Sequence, residues 1–149
     1  MTTFSPVKTV AELLGDRYDA DYQEAFPEVQ PPFGVPFGSL ALLQLRTPRT
    51  KLGKGFLVAA DETKDTERYR VQVGLVRGLG PMAFHDRKTL QVWPEGAWYA
   101  EGDFIRGPMY GGDRFDVKAP NGALVSFILI EPSDALAPIT GDPLTVTTS

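Results

Sequence analysis

The alternation of apolar and polar residues predicts two strands on either side of a long polar connection. Residues 40–45 form a short, nearly unbroken apolar run of strand length. Residues 68–77 alternate instead, which is the period of a half-buried strand. One face of this second strand is predicted to carry Tyr69, Val71, Val73 and Leu75, and the other Arg68, Arg70 and Gln72.

The connection between these strands, residues 47–67, is rich in Thr, Lys, Asp and Gly. Connections of this length inside a domain are uncommon and are usually functional or disordered. One apolar triplet, Phe56-Leu57-Val58, interrupts the polar sequence. The triplet suggests a plug for a pocket on another molecule. The alternative, which the triplet alone favours, is a short edge strand that folds back on the same core.

The second half of the chain predicts more short strands joined by turns. Residues 104–106 and 114–117 are candidate strands, and 123–130 is an apolar run expected to be buried on both faces or nearly so. Asn121-Gly122 between the last two is a strong hairpin signal. Together with 15 glycines and 13 prolines, this pattern predicts an all-β fold, either a small barrel or a sandwich.

Residues 1–38 differ from the rest of the chain and predict an N-terminal arm. Thr9 and Glu12 have the spacing of a capping box, which starts one short helical turn that ends at Gly15. A second turn is expected near residues 21–26. The proline-rich stretch after it precludes helix and central strand. Four apolar residues of the arm are predicted to pack on a surface of this chain or of a neighbour: Phe26, Phe33, Val35 and Phe37.

Three units follow from this pattern: the arm at 1–38, a β-barrel at 39–140 and a short tail at 141–149. The tail is small and polar and is expected to be unfolded alone.

Composition narrows the classes of function. A formal net charge of −4 gives no general attraction to nucleic acid or to an anionic membrane. The absence of cysteine excludes disulfides and thiolate metal sites. No apolar run approaches the roughly 18 residues of a membrane span. A cytosolic origin is the default expectation.

Candidate catalytic chemistry is sparse in this sequence. His85 beside Asp86 is a weak catalytic hint, and a solvated hairpin residue is the favoured interpretation. The acidic residues of 61–67 fit a solvated loop better than a metal site, because the spaced ligand pattern of a cation loop is missing. The sequence therefore predicts a protein that is not an enzyme and that needs no cofactor and no metal.

The order of these features resembles the GroES-type co-chaperonins, small β-barrel proteins that assemble into seven-membered rings. The resemblance covers residues 39–139. It rests on the strand at 39–46, the loop at 47–67, the strand and glycine turn at 69–80, Glu101-Gly102-Asp103-Phe104-Ile105, and the ending 125–139 with Ser133-Asp134-Ala135-Leu136-Ala137. It implies a GroES-like barrel with a long loop between its first two main strands. It also implies that the loop docks on a chaperonin ring through Lys54, Gly55, Phe56, Leu57 and Val58.

The chain also departs from that family, and the departures suggest a second role. The arm, the longer aromatic segment 81–98 and the tail are extra, and they resemble co-chaperonin-like proteins of tailed bacteriophages. The leading expectation is a virion-associated structural protein of the capsid decoration or cement type. The alternative is a phage-encoded co-chaperonin that caps a host chaperonin to fold capsid protein. Both imply a homo-oligomer with a protein partner, either major capsid protein or a host chaperonin ring, located in the virion or the host cytoplasm.

Overall fold

A computed structural model describes residues 5–47, 72–108 and 111–146 of the chain. Within these ranges, two short α-helices come first, followed by six strands. The helices are α1 (Val10–Leu14) and α2 (Ala20–Ala25), and 3₁₀ turns occupy Gly15–Arg17 and Pro132–Asp134. The strands are β1 (Ala41–Leu45), β2 (Val73–Leu79), β3 (Phe104–Arg106), β4 (Asp113–Lys118), β5 (Leu124–Ile130) and β6 (Ala137–Pro138).

The six strands form one antiparallel sheet in the order β4-β5-β1-β2-β3-β6. The prediction of an all-β fold is confirmed in this broad form, since the helices are few and short. Within the described ranges the sheet is not closed, because β4 and β6 lie at opposite edges and do not pair with each other. The GroES-like barrel therefore stays a prediction.

The hairpin and strand signals of the second half are confirmed. Residues 120–122 form the turn between β4 and β5, and Ala123 N–H is bonded to the Asn121 side chain at 2.9 Å. β3 begins and ends at the predicted residues. β5 is buried except at Leu124, which is exposed, and at two half-buried positions.

The expectation that 68–77 is half-buried with one polar face is wrong for the part that the structure describes. Residues 68–71 lie outside the described residues. Every residue of 72–78 is buried, and this includes Gln72 and Arg77. The physical reason is that other segments cover the face that the sequence assigned to solvent. Val76 on that face packs with Phe84 and Tyr99 from the segment between β2 and β3. Gln72 Nε2 on the same face donates to the Gly107 carbonyl oxygen at 3.3 Å.

Apolar clusters occupy both faces of the sheet. One face carries Leu43, Leu45, Val76 and Ile128, which pack with Phe84 and Tyr99 from the segment between β2 and β3. The opposite face carries two clusters in which strand residues meet the N-terminal segment: Val73, Leu75 and Phe104 with Val10, Leu14 and Phe26, and Leu42, Val125 and Phe127 with Val7 and Val29. The N-terminal segment is thus part of the core.

The capping box of α1 is confirmed. Thr9 Oγ1 accepts a hydrogen bond from Glu12 N–H at 3.1 Å, and Thr9 N–H donates to the Glu12 carboxylate at 3.2 Å. The Glu28 carboxylate adds a second cap, because it accepts from Val10 N–H at 3.0 Å and from Ala11 N–H at 3.1 Å. These bonds satisfy amides that the first turn of a helix leaves without partners.

The structure describes residues 141–146 of the C-terminal tail in the context of the whole chain, so the expectation that the tail is unfolded alone stays a prediction. Leu144 is buried and belongs to the cluster of Val10 and Phe26. Arg46 Nη1 donates to the Pro143 carbonyl oxygen at 2.8 Å. This stretch therefore packs on the sheet although its sequence is small and polar.

We expect Tyr18 to make stability depend on alkaline pH. Its hydroxyl donates to the Phe26 carbonyl oxygen at 2.6 Å, and burial, with a smaller contribution from Glu28, raises the pKa of Tyr18 from 10.0 to about 12. The folded state favours the neutral phenol, so this stabilisation is present below about pH 10 and is lost as the pH rises through about 12. Urea unfolding at about pH 9 and about pH 11.5 measures the loss. The Tyr18→Phe variant should lose less than the wild type between these values, and an equal loss would contradict the assignment.

Candidate functional site

The predicted partner-binding loop, Lys54, Gly55, Phe56, Leu57 and Val58, lies outside the described residues. Its points of attachment are described. β1 and β2 are adjacent and antiparallel, and Arg46 N–H donates to the Val73 carbonyl oxygen at 2.9 Å just before the connection. Residues 48–71 therefore join the ends of two neighbouring strands at one end of the sheet. Arg46 itself is buried.

The predicted arm contacts separate into a buried group and an exposed group. Phe26 is fully buried, with its ring centroid 5.2 Å from that of Phe104. Val35 is half-buried. Phe33 and Phe37 are 53% and 72% exposed. Phe33 packs its edge against Phe115 at 4.9 Å. The arm thus contributes to the core of its own chain through Phe26.

An apolar groove of about 400 Å³ runs along the exposed part of the arm. The arm residues 32–37 form one wall, and Leu40, Leu42 and Leu129 of the sheet and its approach form the other. Pro32 and Pro36 restrict the backbone of this wall, because the φ of a proline is fixed near −65°. The sequence predicted the extended arm but gave no indication of the groove.

A second apolar cleft, of about 180 Å³, lies beside the edge strand β6. Trp98, Tyr99 and Ile105 line one side, and residues 135–138 line the other. Trp98 is 43% exposed and Leu136 is 59% exposed. We call this the Trp98–Leu136 cleft. It combines a large aromatic ring and a large aliphatic side chain at the surface, next to the edge of the sheet.

Packing holds the aromatic side of this cleft in place. The Trp98 ring lies 5.1 Å from Trp93, and Phe84 contacts both Trp93 and Tyr99 edge to face. Trp98 Nε1 donates to the Glu95 carboxylate at 3.0 Å, and the Tyr99 hydroxyl donates to the Pro132 carbonyl oxygen at 3.0 Å. The cleft is therefore preformed, with the ring positions fixed on both sides of Trp98.

His85 and Asp86 are used in a turn. His85 pairs with Val92 in an isolated antiparallel bridge, and His85 Nδ1 lies 2.8 Å from the Ala83 carbonyl oxygen. The Asp86 carboxylate accepts from Lys88 N–H at 2.8 Å and from Thr89 N–H at 3.1 Å. The two bonds hold the pKa of Asp86 below its usual value. The prediction that His85 lies in a hairpin is confirmed, and the side chains of His85 and Asp86 both contact main-chain atoms of this turn.

Arg77 and Gln44 form a buried polar pair that sequence reasoning missed. The register between β1 and β2 shifts between Leu42 and Leu43, and Arg77 is the β2 residue with no Cα partner in β1. Such a bulge turns side chains relative to the regular alternation. The available signal was an arginine and a glutamine inside two otherwise apolar strands. Such residues are seldom fully buried without partners.

No group of three or more His, Cys, Asp or Glu side chains among the described residues is placed to hold a metal ion. No described helix is long and apolar enough to cross a membrane.

Comparisons with known proteins do not assign this chain to a family. No protein-family model matches the sequence, and no curated protein matches it. Over the described residues, the chain is an all-β protein with one antiparallel sheet that is not closed and with apolar clefts on its surface.

Proposed function

We propose that this chain is a non-enzymatic assembly protein, and specifically a virion-associated structural protein of the capsid decoration type. The Trp98–Leu136 cleft is the observation that carries the proposal. Large apolar side chains exposed beside each other are typical of protein interfaces, and tryptophan is enriched at their energetically dominant positions. We assign this cleft to the contact with major capsid protein.

The preformed geometry of the cleft supports a binding role. A side chain that is already fixed loses less conformational entropy when a partner docks. Trp98 is held by Trp93 and by Glu95 before any partner arrives. A partner side chain that enters the cleft therefore meets a surface that needs little rearrangement.

The finer fold assignment is part of the same proposal. We propose that the sheet belongs to a GroES-like barrel whose long loop is the connection 48–71. The order of sequence features over 39–139 supports this assignment, and so does the adjacency of β1 and β2. The buried part of the arm packs on its own sheet. The predicted contact of the arm with neighbouring subunits therefore depends on its exposed residues Phe33 and Phe37.

We expect Leu136→Asp to weaken binding to purified capsids at least about tenfold, because a charge would be buried in the apolar contact. The fold should be little affected, since Leu136 is mostly exposed. Sedimentation of the protein with capsids measures the affinity. Leu124→Asp is the matched control: Leu124 is also an exposed leucine, but it lies on β5, away from the cleft. Equal binding by both variants would show that the cleft is not the interface.

The second candidate is a co-chaperonin that caps a host chaperonin ring. One observation favours it: β1 and β2 are neighbours, so residues 48–71 leave and re-enter the sheet at one end. This is the attachment expected for a loop that reaches a partner through Lys54 to Val58. A cap would bind weakly at each loop and gain affinity from several loops binding together.

One experiment separates the two candidates. Purified virions, and the purified protein mixed with a chaperonin ring and ATP, are digested with protease and analysed by mass spectrometry. A structural protein should be present in virions at stoichiometric copy number, with residues of the Trp98–Leu136 cleft protected. Absence from virions, together with protection of 48–71 on the chaperonin ring, would overturn the decoration proposal and establish the co-chaperonin.

A further inference from the structure

Residues 5–31, which we call the N-terminal strap, cover one face of the sheet without being a strand of it. Val7, Val10 and Phe26 are buried against residues of β1, β2 and β5. The strap approaches the sheet closely at Gly78, where an added Cβ would lie 3.1 Å from Val7 Cγ1. Apolar contact with side chains therefore provides most of the attachment.

Two buried polar side chains of the sheet hold the strap at both ends of its helical part. Arg77 donates to the Lys8 carbonyl oxygen from Nη2 at 2.9 Å and from Nε at 3.2 Å. Arg77 Nη1 donates to the Val29 carbonyl oxygen at 3.2 Å. Gln44 Nε2 donates to the Pro27 carbonyl oxygen at 3.0 Å. Lys8 precedes α1, and Pro27 and Val29 follow α2, so both ends are fixed to the same place on the sheet.

The same two side chains are bonded to each other. Arg77 Nη1 donates to Gln44 Oε1 at 2.6 Å, and this bond fixes the amide so that its NH₂ group points to Pro27. The Arg77 guanidinium also lies 6.0 Å from the centroid of the Phe127 ring. We call Arg77 and Gln44 the clasp.

Two features reduce the net stability of the docked strap. Burial of a guanidinium has a desolvation cost, and the pKa of Arg77 is lowered for this reason. Opening would return the cation to water. α1 and α2 have 5 and 6 residues, which is too short for a stable isolated helix. Once released from the sheet, the strap has no structure of its own to retain.

We propose that the N-terminal strap detaches from the sheet as one unit while the strands stay paired, and that the clasp of Arg77 and Gln44 sets how often it does so. Detachment uncovers the apolar face that carries Leu42, Leu75 and Phe127. The strap thereby controls access to this face, whether or not the protein is part of a virion.

Amide hydrogen exchange of the full chain, followed by mass spectrometry, tests the proposal. Opening of a local unit gives its amides lower protection than the amides that exchange only through global unfolding. In the wild type, hydrogen-bonded amides of the strap, such as Leu13, Gln23 and Phe26, should exchange at least about tenfold faster than those of β1 and β5. A single common rate for strap and strands would overturn the proposal, whether or not any variant folds.

The variants test the clasp separately. Arg77→Met keeps a long apolar side chain but leaves the carbonyl oxygens of Lys8 and Val29 without their donor. It should speed strap exchange about tenfold further and leave β1 and β5 amides within about twofold of the wild type. Gln44→Ala removes the bond to Pro27 and should have a smaller effect in the same segment. Uniform acceleration of strap and strands by Arg77→Met would show that Arg77 serves global stability and not a local opening.

A matched control checks that the effect belongs to this arginine. Arg114 is also partly buried, and its Nη2 donates to the Pro108 carbonyl oxygen at 3.1 Å, but Arg114 lies on the edge strand β4. Arg114→Met should leave strap exchange within about twofold of the wild type. If it accelerates the strap as much as Arg77→Met does, the clasp is not Arg77.

Discussion

The Phe127→Ala variant is expected to lose about 3–5 kcal/mol of unfolding free energy, the range typical of a buried phenylalanine cut to alanine. Phe127 lies on β5, is fully buried and is paired with Gln44 of the neighbouring strand β1. Its ring stacks on the Phe115 ring with centroids 5.3 Å apart, and the Arg77 guanidinium carbon lies 6.0 Å from the centroid of the Phe127 ring. Removal of the ring leaves a cavity between the sheet and the strap. Urea unfolding followed by circular dichroism measures the loss.

Phe33→Ala is the matched control for this prediction. Phe33 also packs on the Phe115 ring, at 4.9 Å, but it is 53% exposed. Its removal opens a surface and not a cavity, so the expected loss is below about 1.5 kcal/mol. Equal losses for the two variants would mean that the strap side of the sheet is not the packed core described here.

The Gly80→Ala variant is expected to lose about 2–3 kcal/mol, which is typical of overpacking against atoms that cannot move aside. A Cβ at Gly80 would collide with the Gly38 carbonyl oxygen and lie 2.8 Å from the Gly38 carbonyl carbon. Both are main-chain atoms. The Gly38 oxygen is also held, because it accepts from Met82 N–H at 2.8 Å. Thermal unfolding measures the loss as a lower melting temperature.

Gly141→Ala provides the control for the glycine prediction. An added Cβ at Gly141 meets nothing within 4 Å, and its φ does not lie in the left-handed region. The change should alter stability by less than about 0.5 kcal/mol. A Gly80→Ala protein as stable as the control would show that Gly38 and Gly80 are not in contact.

Local sequence signals predicted the elements that local physics controls. Asn121-Gly122 gave the β4–β5 hairpin because a tight turn needs residues that accept its backbone angles. Thr9 and Glu12 gave the start of α1 because their side chains cap nearby amides. Asp86 marked the turn between His85 and Val92 because its carboxylate accepts hydrogen bonds from the amides of Lys88 and Thr89. In each case the residues that decide the structure are within three or four positions of each other.

Long-range contacts decided what the sequence pattern got wrong or left open. The expected polar face of β2 is buried, because Val76 packs with Phe84 and Tyr99 from the segment between β2 and β3. On the opposite face, Arg77 donates to carbonyl oxygens of Lys8 and Val29 from a segment far away in the chain. The tail packs on the sheet because Arg46 donates a hydrogen bond to Pro143 and because Leu144 is buried in the cluster around Phe26. The Trp98–Leu136 cleft forms from two segments that only the sheet brings together.

The sequence by itself determined an all-β chain, its main strands and turns, and an N-terminal arm rich in proline and phenylalanine. Tertiary structure alone decided the strand order, the open edges at β4 and β6, and the burial of Arg77 and Gln44. The physical reason is that alternation reports which residues share a face of a strand, but not what covers that face. An arginine next to valine and leucine is compatible with solvent or with a ring of carbonyl oxygens, and only the docked strap selects between them.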